Sequence, residues 1–255
     1  MMEAPGYVPF RVGDADGMCL ASLLRSLTEA LDEGTVYDYA AHHPRSRQLT
    51  GRGIAYAVPL PDDAADVVVR RSRHGGLLAP LTGERFLGAT RAPHELRTSL
   101  RLTRLGVPTP EILAYATYPA GSVFRSADVV TREVHGGQDL AEALIDAEDA
   151  DSRRELLAAT VALLALLASA GVRHPDLNLK NVLVRRDDDG QLEALLLDVD
   201  RVWFDDPAMG RAREANMRRF ARSARKWRRF HGCPLDEDDL AWMEREVRSA
   251  ASVPR

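Results

Sequence analysis

Hydrophobic and polar positions along the chain fall into a series of short, well-bounded patterns. Leu20, Leu23, Leu24, Leu27 and Leu31 recur at helical spacing and predict a helix over 19–31, followed by a polar loop over 41–45. Residues 48–57 read as strand, glycine turn and strand, with Gly51 and Gly53 in the turn. A third strand over 66–71 is apolar through Val67, Val68 and Val69 and then turns basic at Arg70 and Arg71, ahead of a turn at Arg73-His74-Gly75-Gly76. An amphipathic helix over 92–105 puts Leu96, Leu100 and Leu105 on one face, carries Glu95 early, and is stopped by Gly106-Val107-Pro108-Thr109-Pro110. Strands follow at 112–117 and 123–133, and His135-Gly136-Gly137-Gln138 reads as a linker.

Beyond the linker the pattern becomes mainly helical. Asp139 is placed to cap one helix, and 151–169 form a long one with an apolar face that Gly171 ends. A short strand over 182–184, a polar turn over 186–190 and a returning strand over 192–197 make a hairpin. Two helices close the chain, a strongly basic one over 211–231 and a last one over 236–251. Five strands with one inserted helix, then a helical half carrying a hairpin, predict an α+β chain of two lobes. The first is small and β-rich with one helix; the second is larger and mainly helical. The expected divisions are 1–49 as an N-terminal extension whose packing the pattern does not set, 50–135 as the first lobe and 136–255 as the second.

Composition narrows the class. A hydrophobic share of 45% in 255 residues is enough for a real core. The net charge of -4 gives no general case for nucleic-acid binding, and no nucleic-acid module is recognisable. Cys19 and Cys233 lie far apart without metal-ligand spacing and read as two reduced thiols. The adjacent His42 and His43 read as solvent-facing. The N-terminus lacks a basic-then-apolar leader. The apolar run over 156–168 is shorter than the ~20 residues of a membrane span and predicts a buried helix.

The candidate chemistry sits in His174-Pro175-Asp176-Leu177-Asn178-Leu179-Lys180-Asn181 and in Leu197-Asp198-Val199-Asp200. A hairpin over 182–197 brings its two ends together, so Asp176 and Asn181 approach Asp198. Two carboxylates and an amide oxygen make a hard-oxygen site suited to Mg²⁺ bridging phosphates. The pattern fits the catalytic loop and metal-binding Asp of protein-kinase-like phosphotransferases, with Asp176 as base and Asn181 and Asp198 as metal ligands. His174 supports the loop. Arg70 stands where such kinases carry a strand lysine and can bind phosphate and pair with Glu95, although Arg70 and Arg71 could also be an exposed basic pair. Asp200 is open between a site contact and a turn cap. No Ala-Pro-Glu segment follows Asp198 and the interval to the basic helix is short, which favours a small or glycan-like acceptor over a protein. The basic helix suits a phosphorylated or acidic acceptor or an anionic membrane face, or else is a solvated face packed through Met217, Phe220 and Trp227.

These residues resemble the lipopolysaccharide core kinase family, especially the 3-deoxy-D-manno-octulosonic acid (Kdo) kinases. The resemblance covers about 51–226. It includes Gly51-Arg52-Gly53, Arg70-Arg71-Ser72-Arg73-His74-Gly75-Gly76-Leu77, Glu95-Leu96-Arg97, the His174 loop, Leu197-Asp198-Val199-Asp200-Arg201 and Asn216-Met217-Arg218-Arg219-Phe220-Ala221-Arg222-Ser223. Asp-Val-Asp stands in place of the family's commoner Asp-Phe-Asp. The resemblance implies a protein-kinase-like fold, ATP with Mg²⁺, Gly51, Gly53, Arg70 and Glu95 on the nucleotide side, and phosphorylation of a Kdo hydroxyl on Kdo–lipid A. It implies a peripheral enzyme at the cytoplasmic face of a Gram-negative inner membrane. A kinase for another small or protein acceptor, and a non-catalytic pseudokinase scaffold, remain the alternative readings.

Overall fold

The computed structural model describes residues 4–32, 34–50, 53–72, 86–87 and 90–251. The chain divides into two units. The described residues of Met1–Leu100 and Pro110–Glu133 form one; Arg101–Thr109 and Val134–Arg255 supply the other.

The first unit is built on an antiparallel sheet. Its strands are β1 (Tyr7–Val12), β2 (Ala15–Leu20), β3 (Arg47–Thr50), β4 (Ile54–Pro59), β5 (Asp66–Arg71), β6 (Phe86–Leu87), β7 (Ile112–Pro119) and β8 (Phe124–Arg132). They lie in the order β1-β2-β7-β8-β5-β4-β3, with β6 also beside β8. Side chains alternate across the sheet. On one face Val58, Val67, Val69, Leu113 and Val130 pack against α1 (Leu24–Asp32) and α2 (Val36–His42) through Leu27, Leu31, Val36 and Tyr39. On the other, Tyr115, Ala127 and Val129 meet Ala92 and Leu96 at the start of α3 (Ala92–Arg104).

Strands β3, β4, β5, β7 and β8 follow the predicted pattern, β6 is additional to it, and residues 1–49 hold more than the one predicted helix. Cys19 and Leu20 end a strand, because Cys19 pairs with Val8 on one side and Ala114 on the other. Part of the expected polar loop is helix α2, closed by a reciprocal cap in which Thr35 accepts from the Asp38 N–H and Asp38 from the Thr35 N–H. On α3, Leu105 lies past the helix end and is exposed, while Leu102 is fully buried.

The second unit contains α4 (Leu140–Asp146), α5 (Ala150–Ser169), α6 (Arg211–His231) and α7 (Glu237–Ala251). Its short strands are β9 (Gln138–Asp139), β10 (Val172–Arg173), β11 (Val182–Arg186), β12 (Leu192–Leu196) and β13 (Trp203–Phe204). Helix α5 is the hub. Leu157, Leu163, Leu164 and Leu167 are buried with Phe220 of α6 and Leu240, Met243 and Val247 of α7. No described helix is long and apolar enough to cross a membrane. Both cysteines are free and buried; burial pushes the Cys19 thiol up to about 11 and raises that of Cys233, which leaves both largely unreactive.

Candidate active site

The hairpin predicted from sequence forms. β11 and β12 pair antiparallel with Val182 opposite Leu196, and the Leu197 N–H donates to the Asn181 carbonyl at 2.9 Å. Asn181 and Asp198 therefore emerge from the same end. A second ribbon secures the loop that precedes them: β10 pairs with β13, Arg173 opposite Trp203. Gly171 makes this possible. It adopts φ +64, and a Cβ there would lie 2.2 Å from the Asp205 carbonyl oxygen.

His174 joins the two halves of the site. Its Nδ1 accepts from the Asp176 N–H at 3.1 Å, so the proton resides on Nε2, which reaches the Leu197 carbonyl at 3.1 Å. Burial lowers the imidazole pKa from 6.5, against the raising pull of that carbonyl and of the Asp198 and Asp176 charges. The unfolded chain then binds the proton more readily than the folded one, so stability is present above pH 6.5 and is lost as pH falls through the lower folded-state value. We expect the thermal midpoint to drop on acidification below pH 6.5 and the drop to shrink in His174→Gln, read by unfolding scans at several pH values. Equal slopes in both proteins would reject this role.

Asp176 is half-buried, Asn181 buried and Asp198 exposed. The Asn181 amide Nδ2 donates to the Asp176 carbonyl at 2.8 Å, which fixes the amide and turns its oxygen to the opposite side. Asp198 adopts the left-handed region at φ 58, ψ 53, a conformation that L-residues rarely take, just before a 3-10 turn over Val199–Arg201 that includes Asp200. Among the described residues no three His, Cys, Asp or Glu side chains cluster to hold a metal unaided. One amide oxygen and one exposed carboxylate fit Mg²⁺, which keeps several waters and takes remaining ligands from phosphates.

Helix α6, whose segment 216–223 carries part of the family resemblance, supplies residues to which the sequence assigns no role at the site. Asn216 is clamped between backbone groups, accepting from the His174 N–H at 3.0 Å and donating to the Val172 carbonyl at 2.8 Å. The Ser223 hydroxyl accepts from the Leu179 N–H at 3.3 Å. Arg219 forms an ion pair with Asp176 through Nη2 and Oδ1. With buried Phe220 these lie at 216, 219, 220 and 223, one helical face. Both readings of this helix therefore miss part of it, since one arginine of the basic pattern points inward. The Lys180 ammonium is held by Asp139 at 3.1 Å and Glu142 at 3.0 Å.

In the first unit Arg70 and Arg71 point to opposite faces of β5. Arg70 pairs with Glu95 of α3, whose side chain is 3% exposed. Arg71 meets buried Asp128 at 3.3 Å and the Thr35 hydroxyl at 3.1 Å, with its guanidinium 4.4 Å from the Tyr37 ring centroid. Burial raises the Asp128 pKa despite Arg71 and the Tyr37 N–H. The alternative of an exposed basic pair does not hold. Gly53 occupies a half-exposed bend before β4; Gly51 and the turn at 73–76 lie outside the described residues.

Comparison with known proteins places these residues in context. The pattern of the lipopolysaccharide kinase (Kdo/WaaP) family matches residues 45–249. The 3-deoxy-D-manno-octulosonic acid kinase of Xanthomonas oryzae pv. oryzae (strain PXO99A) is 32% identical over 205 residues, which cover 75% of this chain and 78% of that protein. The protein of the same description from Vibrio parahaemolyticus serotype O3:K6 (strain RIMD 2210633) is 26% identical over 207 residues, 77% and 76% of the two chains. Among solved structures, the Rio2 kinase-ADP/Mg2+-phosphoaspartate complex from Chaetomium thermophilum aligns with a TM-score of 0.50 at 18% identity, covering 98% of this chain and 74% of that one. At that identity the likeness speaks for the fold, an α+β protein-kinase-like fold as expected from the sequence.

Proposed function

Because this chain belongs to the lipopolysaccharide kinase (Kdo/WaaP) family, we propose that it transfers the γ-phosphoryl group of ATP to a hydroxyl of Kdo in the lipopolysaccharide inner core. It is a phosphotransferase with an alcohol acceptor. The observation that carries the reading is the family match over 45–249, which spans Asp176, Asn181 and Asp198. In this reading 50–135 and 136–255 act as the two kinase lobes. Asp176 accepts or orients the acceptor hydroxyl proton. Asn181 and Asp198 hold Mg²⁺, which supplies charge neutralisation of the phosphates. Arg70, held by Glu95, offers its planar fork to phosphate oxygens, and Gly51 and Gly53 admit the phosphates close to the backbone.

The acceptor is an amphiphile, and the outer face of α6 suits the surface that contains it. Arg218, Arg222, Lys226 and Arg229 are exposed there, and Phe230 beside them is 63% exposed, although the whole chain carries a net charge of -4. The proposed enzyme works as a peripheral protein at the cytoplasmic membrane face. The test uses purified protein, labelled ATP, Mg²⁺ and Kdo–lipid A in vesicles with and without anionic lipid. Label is expected on the Kdo–lipid A, with sedimentation on anionic vesicles that salt reverses. Label confined to protein or to a small metabolite would reject the acceptor, and binding indifferent to lipid charge and salt would reject the membrane contact.

A further inference from the structure

The cation beside Asp176 does not come from its own loop. Two positions on, Asn178 spends its side chain within the turn: Nδ2 donates to the Asp176 carbonyl at 2.9 Å and Oδ1 accepts from the Lys180 N–H at 3.0 Å. The loop's only cation, Lys180, is occupied by Asp139 and Glu142. Arg219 arrives from a helix 43 residues along the chain. Its position is set by the helix register, since Asn216, Phe220 and Ser223 are fixed on either side.

An ordinary structural ion pair accounts poorly for this arginine. Its side chain is 37% exposed against 17% for Asp176, so solvent screens the pair in part and limits what it adds to stability. Its Nε is nonetheless buried without a hydrogen-bond partner among the described residues, which costs stability. A guanidinium has five N–H donors in a fixed fork, and contact with Asp176 Oδ1 leaves others to offer. Any hydroxyl oriented by Asp176 must attack a phosphoryl group bearing charge on its equatorial oxygens. Carboxylate and phosphoryl repel one another unless a cation lies between them.

We propose that Arg219 is a further catalytic residue, binding Asp176 through one arm of its guanidinium and an oxygen of the transferring phosphoryl group through another. This inference rests on the kinase reading above. As the acceptor oxygen bonds to the γ-phosphorus, its proton passes to the Asp176 carboxylate. The bond from the γ-phosphorus to the bridging oxygen breaks, and ADP leaves with that electron pair. Arg219 neutralises the charge spread over the transferring group throughout and gives up no proton.

The test is a cycle of Asp176→Asn, Arg219→Gln and the double variant, with Arg219→Lys as a second probe. Transfer to Kdo–lipid A and slow ATP hydrolysis are both read. We expect Arg219→Gln to lower kcat about 100-fold with the KM for ATP nearly constant, and Arg219→Lys to recover only part of the loss. In the Asp176→Asn background, Arg219→Gln should still cost about tenfold, because it removes a contact of its own. No further loss in that background would overturn the proposal and leave Arg219 only positioning Asp176, as would full activity of Arg219→Lys. Wild-type protein that hydrolyses ATP without labelling Kdo–lipid A would instead defeat the acceptor assignment, while hydrolysis by the variants still decides the role of Arg219. If Arg219→Gln unfolds in a thermal scan, free guanidinium added to Arg219→Ala supplies the same answer: rescue supports the contact and its failure in a folded protein overturns it.

Discussion

Asp176→Asn is expected to lower the rate of phosphoryl transfer by about 10²–10⁴-fold while ATP still binds, the range for loss of a positioned proton acceptor. The substitution is close to isosteric. The amide oxygen can still accept from Arg219, and the Asp176 N–H and carbonyl that hold His174, Asn178 and Asn181 are untouched. The change therefore falls on the acceptor's proton and leaves the loop standing. Single-turnover transfer of label from ATP measures the first quantity, and calorimetric ATP titration the second. Transfer within tenfold of wild type would remove Asp176 from the chemistry. Loss of ATP binding together with transfer would mean that the loop had moved.

The parts of this site that are legible in the sequence are those written in local pattern. The hairpin of β11 and β12 announces itself through two apolar runs around Asp187-Asp188-Asp189-Gly190, and its closure brings Asn181 to Leu197. The ends of α6 are marked by glycines at 210 and 232, both at positive φ. Which arginine of that helix points inward is written only in the helical period. Nine cations in one helix look alike along the chain, and only the period of buried Phe220 and Asn216 separates Arg219 from Arg218 and Arg222. Positions 216, 219, 220, 223 and 227 share that face, so a strict reading of the helical period could have found it. The first strands fail for another reason. β2 buries only Ala15 and Cys19 fully, interrupts itself with Asp16 and Gly17, and hands Leu20 to a leucine repeat that belongs to the next helix. It pairs with β1 across the short turn at Gly13-Asp14 and with β7 about a hundred residues away, and only the first of these partners lies within a local window. Glu95 is expected as the partner of Arg70 and is found paired with it, but that expectation comes from the order of the elements, because the α3 sequence alone does not distinguish a carboxylate facing β5 from one facing water.

Asp198 separates chemistry from backbone strain, and its variants should come apart accordingly. At φ 58 and ψ 53 a side chain bearing Cβ is costly, by about 1 kcal/mol for alanine relative to glycine, whereas Asn tolerates the region nearly as well as Asp. If the carboxylate holds Mg²⁺, its removal costs several kcal/mol of charge stabilisation whatever replaces it, or about 10³-fold in transfer. Asp198→Asn, Asp198→Gly and Asp198→Ala are thus expected to lose activity alike and to demand more Mg²⁺. Their stabilities should differ, with Ala melting about 2–4 °C below Gly and Asn near wild type. Transfer assays across a Mg²⁺ series and thermal scans read the two effects independently. Activity that followed the melting order, or an Asn variant retaining more than a tenth of wild-type transfer at low Mg²⁺, would take the metal away from Asp198 and leave it a turn-former. The left-handed backbone would then rest on what a short polar side chain does locally in such a turn, which Asn can supply as well as Asp, whereas Mg²⁺ binding needs the carboxylate itself.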